Sequence, residues 1–300
     1  MSKPTLMILA AGMGSRYGGL KQMDGFGASG AAIIEYSIYD AIRAGFGKVV
    51  FIIREHFADA FKARFAGKFE DKIEVVYAFQ EFHTPIKGIE SVPVREKPWG
   101  TGHAMLAGEA VTTEPFLVIN ADDYYGVKAF EQMADFLMNR CTPDNYSLVA
   151  YQLPKTLSDN GSVARGVCDV DDAGNLTGMN ERTKILRADD GVIYYYEGDD
   201  RTVLPENTVV SMNYWGFHPS VFERFRAQFR RFLVDNADSP KAEFFIPLPV
   251  NDLIQRNIVE FEVMTSVDKW HGVTYREDKE VVEAAFVALH ELGLYPEELW

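Results

Sequence analysis

Only two cysteines, Cys141 and Cys168, occur in 300 residues. So few thiols exclude a disulfide framework and a thiolate metal cage, and they fit a reducing cytoplasm. Long apolar runs are also missing, since none approaches the ~18 residues of a membrane span. Thr5–Ala11 is short for a secretory core segment and runs into a glycine-rich stretch, so no cleaved leader is expected. Positive charge is scarce. Thirty Lys and Arg against 44 Asp and Glu leave a net charge of −14, which repels nucleic acid unless a strong basic patch compensates. The densest basic cluster, Arg224–Arg231, is interleaved with Phe222, Phe225, Phe229 and Phe232. That helical spacing makes the arginines a solvated face. Neither nucleic acid nor membrane is therefore an expected partner. No internal repeat, low-complexity tract or Ser/Gly linker breaks the chain, and at 47% hydrophobic it can fill a large core.

What the chain does have is concentrated near its start. The apolar run Leu6-Met7-Ile8-Leu9 reads as a buried strand. It passes through Ala10 and Ala11 into Gly12, Gly14, Gly18 and Gly19, with Arg16 and Lys21 bracketing the last two. Glycines there let backbone N–H groups approach a bulky anion, and the two cations add charge that peptide dipoles cannot supply. Two familiar phosphate loops fail on spacing. For a dinucleotide fingerprint Gly18 comes one residue late, and the first acid after the next strand, Glu55, is too distant. For a P-loop, Leu20 separates Gly19 from Lys21, and Gln22 stands where Ser or Thr is required.

Further on, buried-type strands alternate with amphipathic helices: Lys48–Ile53, a helix over 56–66, Glu74–Phe79, and later Phe116–Ile119. This alternation predicts an α/β fold with a mostly parallel sheet. Ligands in such sheets sit at the carboxyl ends of the strands. Asn120-Ala121-Asp122-Asp123 falls at such an end. Adjacent acids there are costly unless a cation or hydrogen bonds compensate, and hard oxygen donors suit Mg²⁺. Asp123 points away if the strand continues, so it is expected to cap or bond locally. Residues 153–215 carry turn signals at 159–161, 172–175 and 189–191 between short apolar runs, which predicts an antiparallel lobe. Pro247 and Pro249 predict a bent or extended segment. A closing amphipathic helix is expected over 277–292.

The stretch L-A-A-G-x-G-S-R, with a lysine five residues after the arginine, resembles the signature of the NDP-sugar pyrophosphorylases. These nucleotidyltransferases join a sugar 1-phosphate to a nucleotide. The resemblance implies a single Rossmann-like nucleotidyltransferase domain (GT-A-like). Its divisions would be a nucleotide-binding half over 1–152, a β-rich acceptor-binding insertion over 153–217, and closing helices with a late strand over 218–300. By the same resemblance Arg16 and Lys21 are catalytic. Ala10, Ala11, Gly12 and Gly14 wrap the nucleotide, while Gln80, Gly100 and Thr101 meet its base. Gly166 in Arg165-Gly166-Val167, Glu181 and Arg182 in Asn180-Glu181-Arg182, and Asn213 meet the acceptor. Asp122 holds Mg²⁺ with Asp268 as its second carboxylate, and Lys269 lies near the same phosphates. His103 is expected to pack rather than act as a base.

The implied reaction is attack of a sugar 1-phosphate on a nucleoside triphosphate, with UTP or dTTP favoured. The acceptor is largely dianionic at neutral pH, because its second pKa is about 6, and it needs no general base. Three rivals stay open: a cytidylyltransferase acting on a non-sugar phosphate such as phosphocholine, a nicotinamide-dependent oxidoreductase, and a non-catalytic nucleotide-sugar sensor. The sequence leaves a homo-oligomer open.

Overall fold

The structure, a computed structural model, describes residues 2–12, 25–27, 29–89, 92, 93, 95, 97–273, 275 and 277–300. In chain order, β1 (Thr5–Leu9) is followed by the small hairpin β2 (Gly25–Phe26) and β3 (Ala31–Ala32), then α1 (Ile33–Ala44) and β4 (Lys48–Ile53). Next come α2 (Ala58–Phe65), β5 (Glu74–Phe79), α3 (Thr101–Ala107), β6 (Phe116–Asn120), β7 (Asp123–Tyr124) and α4 (Val127–Asn139). The middle of the chain is β-rich: β8 (Asn145–Gln152), β9 (Val163–Val170), β10 (Leu176–Arg187), β11 (Ile193–Glu197), β12 (Asp200–Leu204) and β13 (Val209–Phe217). It closes with α5 (Val221–Asp235), α6 (Pro247–Gln255), β14 (Glu260–Thr265), β15 (His271–Gly272) and α7 (Asp278–Glu291).

One sheet runs β12-β11-β10-β9-β13-β6-β1-β4-β5 in space, with β8 and β14 joined beside β13. Strands β6, β1, β4 and β5 are parallel neighbours. Their runs are apolar on both faces because helices cover both faces. On β1, Leu6 and Ile8 belong to the core cluster that takes in residues of α1, α2 and α4, while Met7 belongs to the one that takes in α3, α5 and α6. Gly45 ends α1 in the left-handed conformation at φ 99°, and its N–H bonds back to the last turn. Strand β13 runs antiparallel to β6 and carries the sheet on into β9–β12. The antiparallel lobe is therefore an extension of the parallel sheet, joined through one shared strand.

One expectation is corrected. The segment with Pro247 and Pro249 is helical, as α6. Both prolines lie in its first turn, where N–H groups have no intrahelical acceptor and their loss costs nothing. The closing helix α7 lies where periodicity predicts it. Its Phe286 packs with Phe26, Tyr36 and Tyr124. It thereby joins the hairpin beyond the glycine stretch to the residue after Asp123. Among the described residues no helix is long and apolar enough to cross a membrane.

Candidate active site

The site begins where parallel strands stop. Leu9 and Asn120 are paired in register at the ends of β1 and β6. Beyond them Ala121 N donates to Leu9 O at 3.3 Å, and Ala10 N donates to Ile52 O at 2.9 Å. Ala10 and Ala11 are buried and Gly12 is exposed, so the chain emerges from β1 one strand away from Asp122 and Asp123. Gly14, Arg16 and Lys21 lie outside the described residues.

Both acids of the β6 turn are half-buried. Asp123 Oδ2 accepts from Asn120 Nδ2 at 2.9 Å and lies 3.3 Å from the Tyr125 hydroxyl. Across from it, β15 pairs with β7, placing Gly272 opposite Asp123. A side chain at Gly272 would strike the Trp270 ring at 2.3 Å and Asp123 Oδ1 at 2.9 Å. The late strand therefore does return to the acid turn, through residues 270–272. Among the described residues no group of three or more His, Cys, Asp or Glu side chains is gathered to hold a metal. Two adjacent acids fit a hard cation that takes one or two carboxylates and completes its shell with substrate phosphate and water. They do not form an all-protein cage.

Asp268, expected as the second metal carboxylate, caps a helix. Its Oδ2 accepts the Lys128 backbone N–H at 2.6 Å, at the start of α4. Burial pushes its carboxyl above the usual range, and the backbone N–H groups of Lys128 and Ala129 pull it part-way back. Gly126, with φ 86°, would place a Cβ 2.3 Å from Asp268 Cβ, so the cap fits only over glycine. Lys269 lines a small pocket with Lys155, Arg165 and Asp278.

The acceptor candidates are partly brought together. Glu181, Gly166 and Ser211 are cross-strand neighbours on β10, β9 and β13, a row that shares one face. A Cβ at Gly166 would lie 2.7 Å from Met179 Sδ, so a larger residue there would have to shift the methionine. Glu181 reaches solvent, yet enough protein surrounds it that burial raises its carboxyl while Arg165 draws it down. Arg182, the next residue on the strand, faces the opposite way. Its guanidinium holds Glu197 at 3.2 Å and covers the Tyr195 ring at 4.7 Å, so it is not turned toward the same face as Glu181. Asn213 has both ends of its amide engaged, with Nδ2 donating to Asn120 Oδ1 at 2.7 Å and Oδ1 accepting from Trp215 Nε1 at 2.8 Å.

The base-side candidates form a scaffold. Gln80 is buried, and its Nε2 donates to Gly100 O at 3.1 Å and lies 3.3 Å from His103 Nδ1. This joins the β5 end to the α3 start across twenty residues. Gly100 and Gly102 are required by the backbone of Phe244, which would lie 2.9 and 2.8 Å from an added Cβ. The Thr101 hydroxyl accepts the Ile246 N–H at 3.2 Å. His103 is fully buried against Phe229, and burial holds its pKa down to about 3 with a further push from Arg95. It is a neutral packing residue.

Sequence reasoning passed over Arg165 itself. It is buried, donates to Ala164 O at 2.8 Å and Thr156 Oγ1 at 3.3 Å, and lies 5.0 Å from the Trp270 ring. Burial lowers it to about 10, and the charges of Asp123, Glu181 and Asp278 oppose the shift. The one available signal was an arginine beside Gly166 in a strand otherwise reading as buried.

A family model described as nucleotidyl transferase matches residues 5–231. The chain belongs to the nucleotidyl transferase family. The match spans β1, the acid turn, the acceptor row and most of α5, so this nucleotidyltransferase carries its candidate site within the matched region. A candidate glucose-1-phosphate thymidylyltransferase from Bacillus anthracis, solved in complex with sucrose, has a similar fold at a TM-score of 0.63. It is 13% identical, with 94% of this chain and 95% of that one covered. No curated protein matched the nucleotidyltransferase.

Proposed function

We propose that this nucleotidyltransferase transfers a nucleotidyl group from UTP or dTTP to a sugar 1-phosphate, releasing pyrophosphate and requiring Mg²⁺. One observation carries the reading. The Ala10–Gly12 stretch leaves β1 beside the Asp122–Asp123 turn of β6, and the same sheet continues into the Glu181–Gly166–Ser211 row. A triphosphate cradle, paired acids and a carboxylate suited to hydroxyls then share one sheet. The dTTP and hexose phosphate of this reading agree with the thymidylyl and glucose 1-phosphate in the name of the Bacillus anthracis structure.

In the proposed reaction an oxygen of the sugar 1-phosphate attacks the α-phosphorus. A new P–O bond forms, the α–β bridge breaks, and the electron pair leaves with pyrophosphate. The attacking phosphate is largely dianionic, because its second pKa is about 6, so no side chain need take a proton. The neutrality of His103 is consistent with that. Arg16 and Lys21 stabilise charge on the α-phosphate and the leaving pyrophosphate. Asp122 would hold Mg²⁺, which when bound neutralises phosphate charge and aligns the two substrates. With Asp268 engaged on α4, the carboxylates of the acid turn are the ones that would hold the cation. Glu181 holds sugar hydroxyls beside the Gly166 backbone. Gln80, Gly100 and Thr101 brace the base-side wall from behind. A cytoplasmic location belongs to the same proposal, supported by the free thiols of Cys141 and Cys168.

The test is a Mg²⁺-dependent pyrophosphate-release screen over UTP, dTTP, CTP, ATP and GTP, crossed with sugar 1-phosphates and phosphocholine. Release with UTP or dTTP and a hexose 1-phosphate is expected. Release only with CTP and phosphocholine would move the chain to the rival cytidylyl chemistry. No release with any pair, despite tight nucleotide-sugar binding, would make it a sensor.

A further inference from the structure

We propose that Asn213 and Trp215 are positioning residues that set the Asp122–Asp123 turn through a one-way hydrogen-bond relay. The proposal rests on the function given above. Trp215 Nε1 donates to Asn213 Oδ1 at 2.8 Å, Asn213 Nδ2 donates to Asn120 Oδ1 at 2.7 Å, and Asn120 Nδ2 donates to Asp123 Oδ2 at 2.9 Å. An indole nitrogen can only donate. The oxygen of Asn213 must therefore face Trp215, and its amide nitrogen must face Asn120. Asn120 is fixed in turn, with its oxygen toward Asn213 and its nitrogen toward Asp123. The orientation of both amides follows from one donor-only ring, and the relay ends on a carboxylate that accepts.

The backbone is shaped to make this possible. The register of β13 against β8 slips between Ser211 and Trp215, and Asn213 sits at φ 62°. Left-handed backbone is uncommon outside glycine, and asparagine is among the residues that tolerate it. A bulge re-aims the side chain it carries, here toward the end of β6. A second tie closes the loop. The Tyr125 hydroxyl lies 3.3 Å from Asp123 Oδ2 and 2.9 Å from the carbonyl of Met212, the residue before Asn213. Trp215 and Tyr125 are fully buried. Satisfied networks in such surroundings are rigid and costly to break. Asp123 is thereby the acid of orientation, and it fixes the backbone from which Asp122 projects.

The relay makes a prediction that simple contact with the acceptor does not. In Asn213→Asp the new carboxylate still accepts from Trp215 but cannot donate to Asn120. If the Asn120 amide turns over to donate back, its oxygen meets the Asp123 carboxylate. The expected result is a lower unfolding midpoint and a Mg²⁺ activation constant raised about tenfold. The KM for nucleoside triphosphate should change less than about threefold. Adding Asp123→Asn restores a donor for every acceptor. Position 213 then accepts from Trp215 and Asn120, and the Asn120 oxygen accepts from the new amide at position 123. The double variant should recover the unfolding midpoint, an interaction visible in a double-mutant cycle of stability. Damage in the double variant equal to the sum of the single variants would overturn the relay. So would an Asn213→Asp variant that behaves as wild type in both measurements. The unfolding arm needs no turnover, so it judges the relay even if the wild-type enzyme releases no pyrophosphate with any sugar phosphate.

Discussion

The Asp268 carboxylate accepts the Lys128 backbone N–H at 2.6 Å, across 140 residues of sequence. A late loop thus caps a helix that begins just past the acid turn. Capping a helix start with an acid satisfies an orphan donor and opposes the positive end of the helix dipole. Asp268→Ala should lower stability by about 1 kcal/mol and leave the Mg²⁺ activation constant of pyrophosphate release unchanged. Chemical denaturation and a Mg²⁺ titration of turnover check both. A large rise in that constant would return Asp268 to the metal.

Gly272 is pressed between the Trp270 ring and Asp123 Oδ1. Gly272→Ala forces one of them to move, an overpacking that costs roughly 1–3 kcal/mol. Because Asp123 is one of the two neighbours, turnover should fall together with the unfolding midpoint. Lost stability with unimpaired turnover would show that the acid turn does not depend on β15.

His103 gives the fold a pH dependence whose sign follows from burial. Its folded-state pKa is depressed to about 3, against about 6.5 in an unfolded chain. As pH falls below about 6.5 the unfolded state takes up a proton that the folded state refuses. Stability is therefore lost from that point down to about pH 3. At pH 5 the loss from this one histidine is about 2 kcal/mol relative to pH 7. His103→Asn should be less stable overall yet show a correspondingly smaller drop between pH 7 and pH 5 in urea unfolding. An equal drop in both proteins would contradict the assignment.

Glu181 is proposed to bind acceptor hydroxyls from beside Gly166. Glu181→Gln keeps the shape and removes the charge, and a hydrogen bond to a charged group is worth about 1.5–3 kcal/mol. The KM for the sugar 1-phosphate should rise about tenfold or more, with the KM for the nucleotide unchanged. Steady-state kinetics with each substrate varied in turn separate the two. An effect confined to the nucleotide would displace Glu181 from the acceptor side.

The parallel half of the fold was readable because β1, β4 and β6 are buried on both faces and appear as unbroken apolar runs. The acid turn was readable because paired carboxylates at a strand end have few purposes. Strand β10 was much harder to see. Five of the eight residues in Thr-Gly-Met-Asn-Glu-Arg-Thr-Lys are exposed, and no clean alternation marks it. Gly100 invited a reading of close ligand approach, whereas the backbone that needs its hydrogen belongs to Phe244, far along the chain. Asp268 is ambiguous for a related reason, since an acid after a late strand looks the same whether it holds a cation or caps a helix, and the cap on α4 is visible only in the fold. The relay was invisible because it joins Asn213 to Asn120 across 93 residues and depends on a bulge that no residue pattern announces. Local chemistry was legible, and the partner supplied from elsewhere in the chain was not.

The most direct measurement compares pyrophosphate release by the wild-type protein and Asp122→Asn, with UTP or dTTP, a hexose 1-phosphate and saturating Mg²⁺. The wild type should release pyrophosphate in step with NDP-sugar, and the variant should fall by about 100-fold or more while unfolding at nearly the same temperature. An Asp122→Asn variant that turns over at the wild-type rate would contradict the account at its centre.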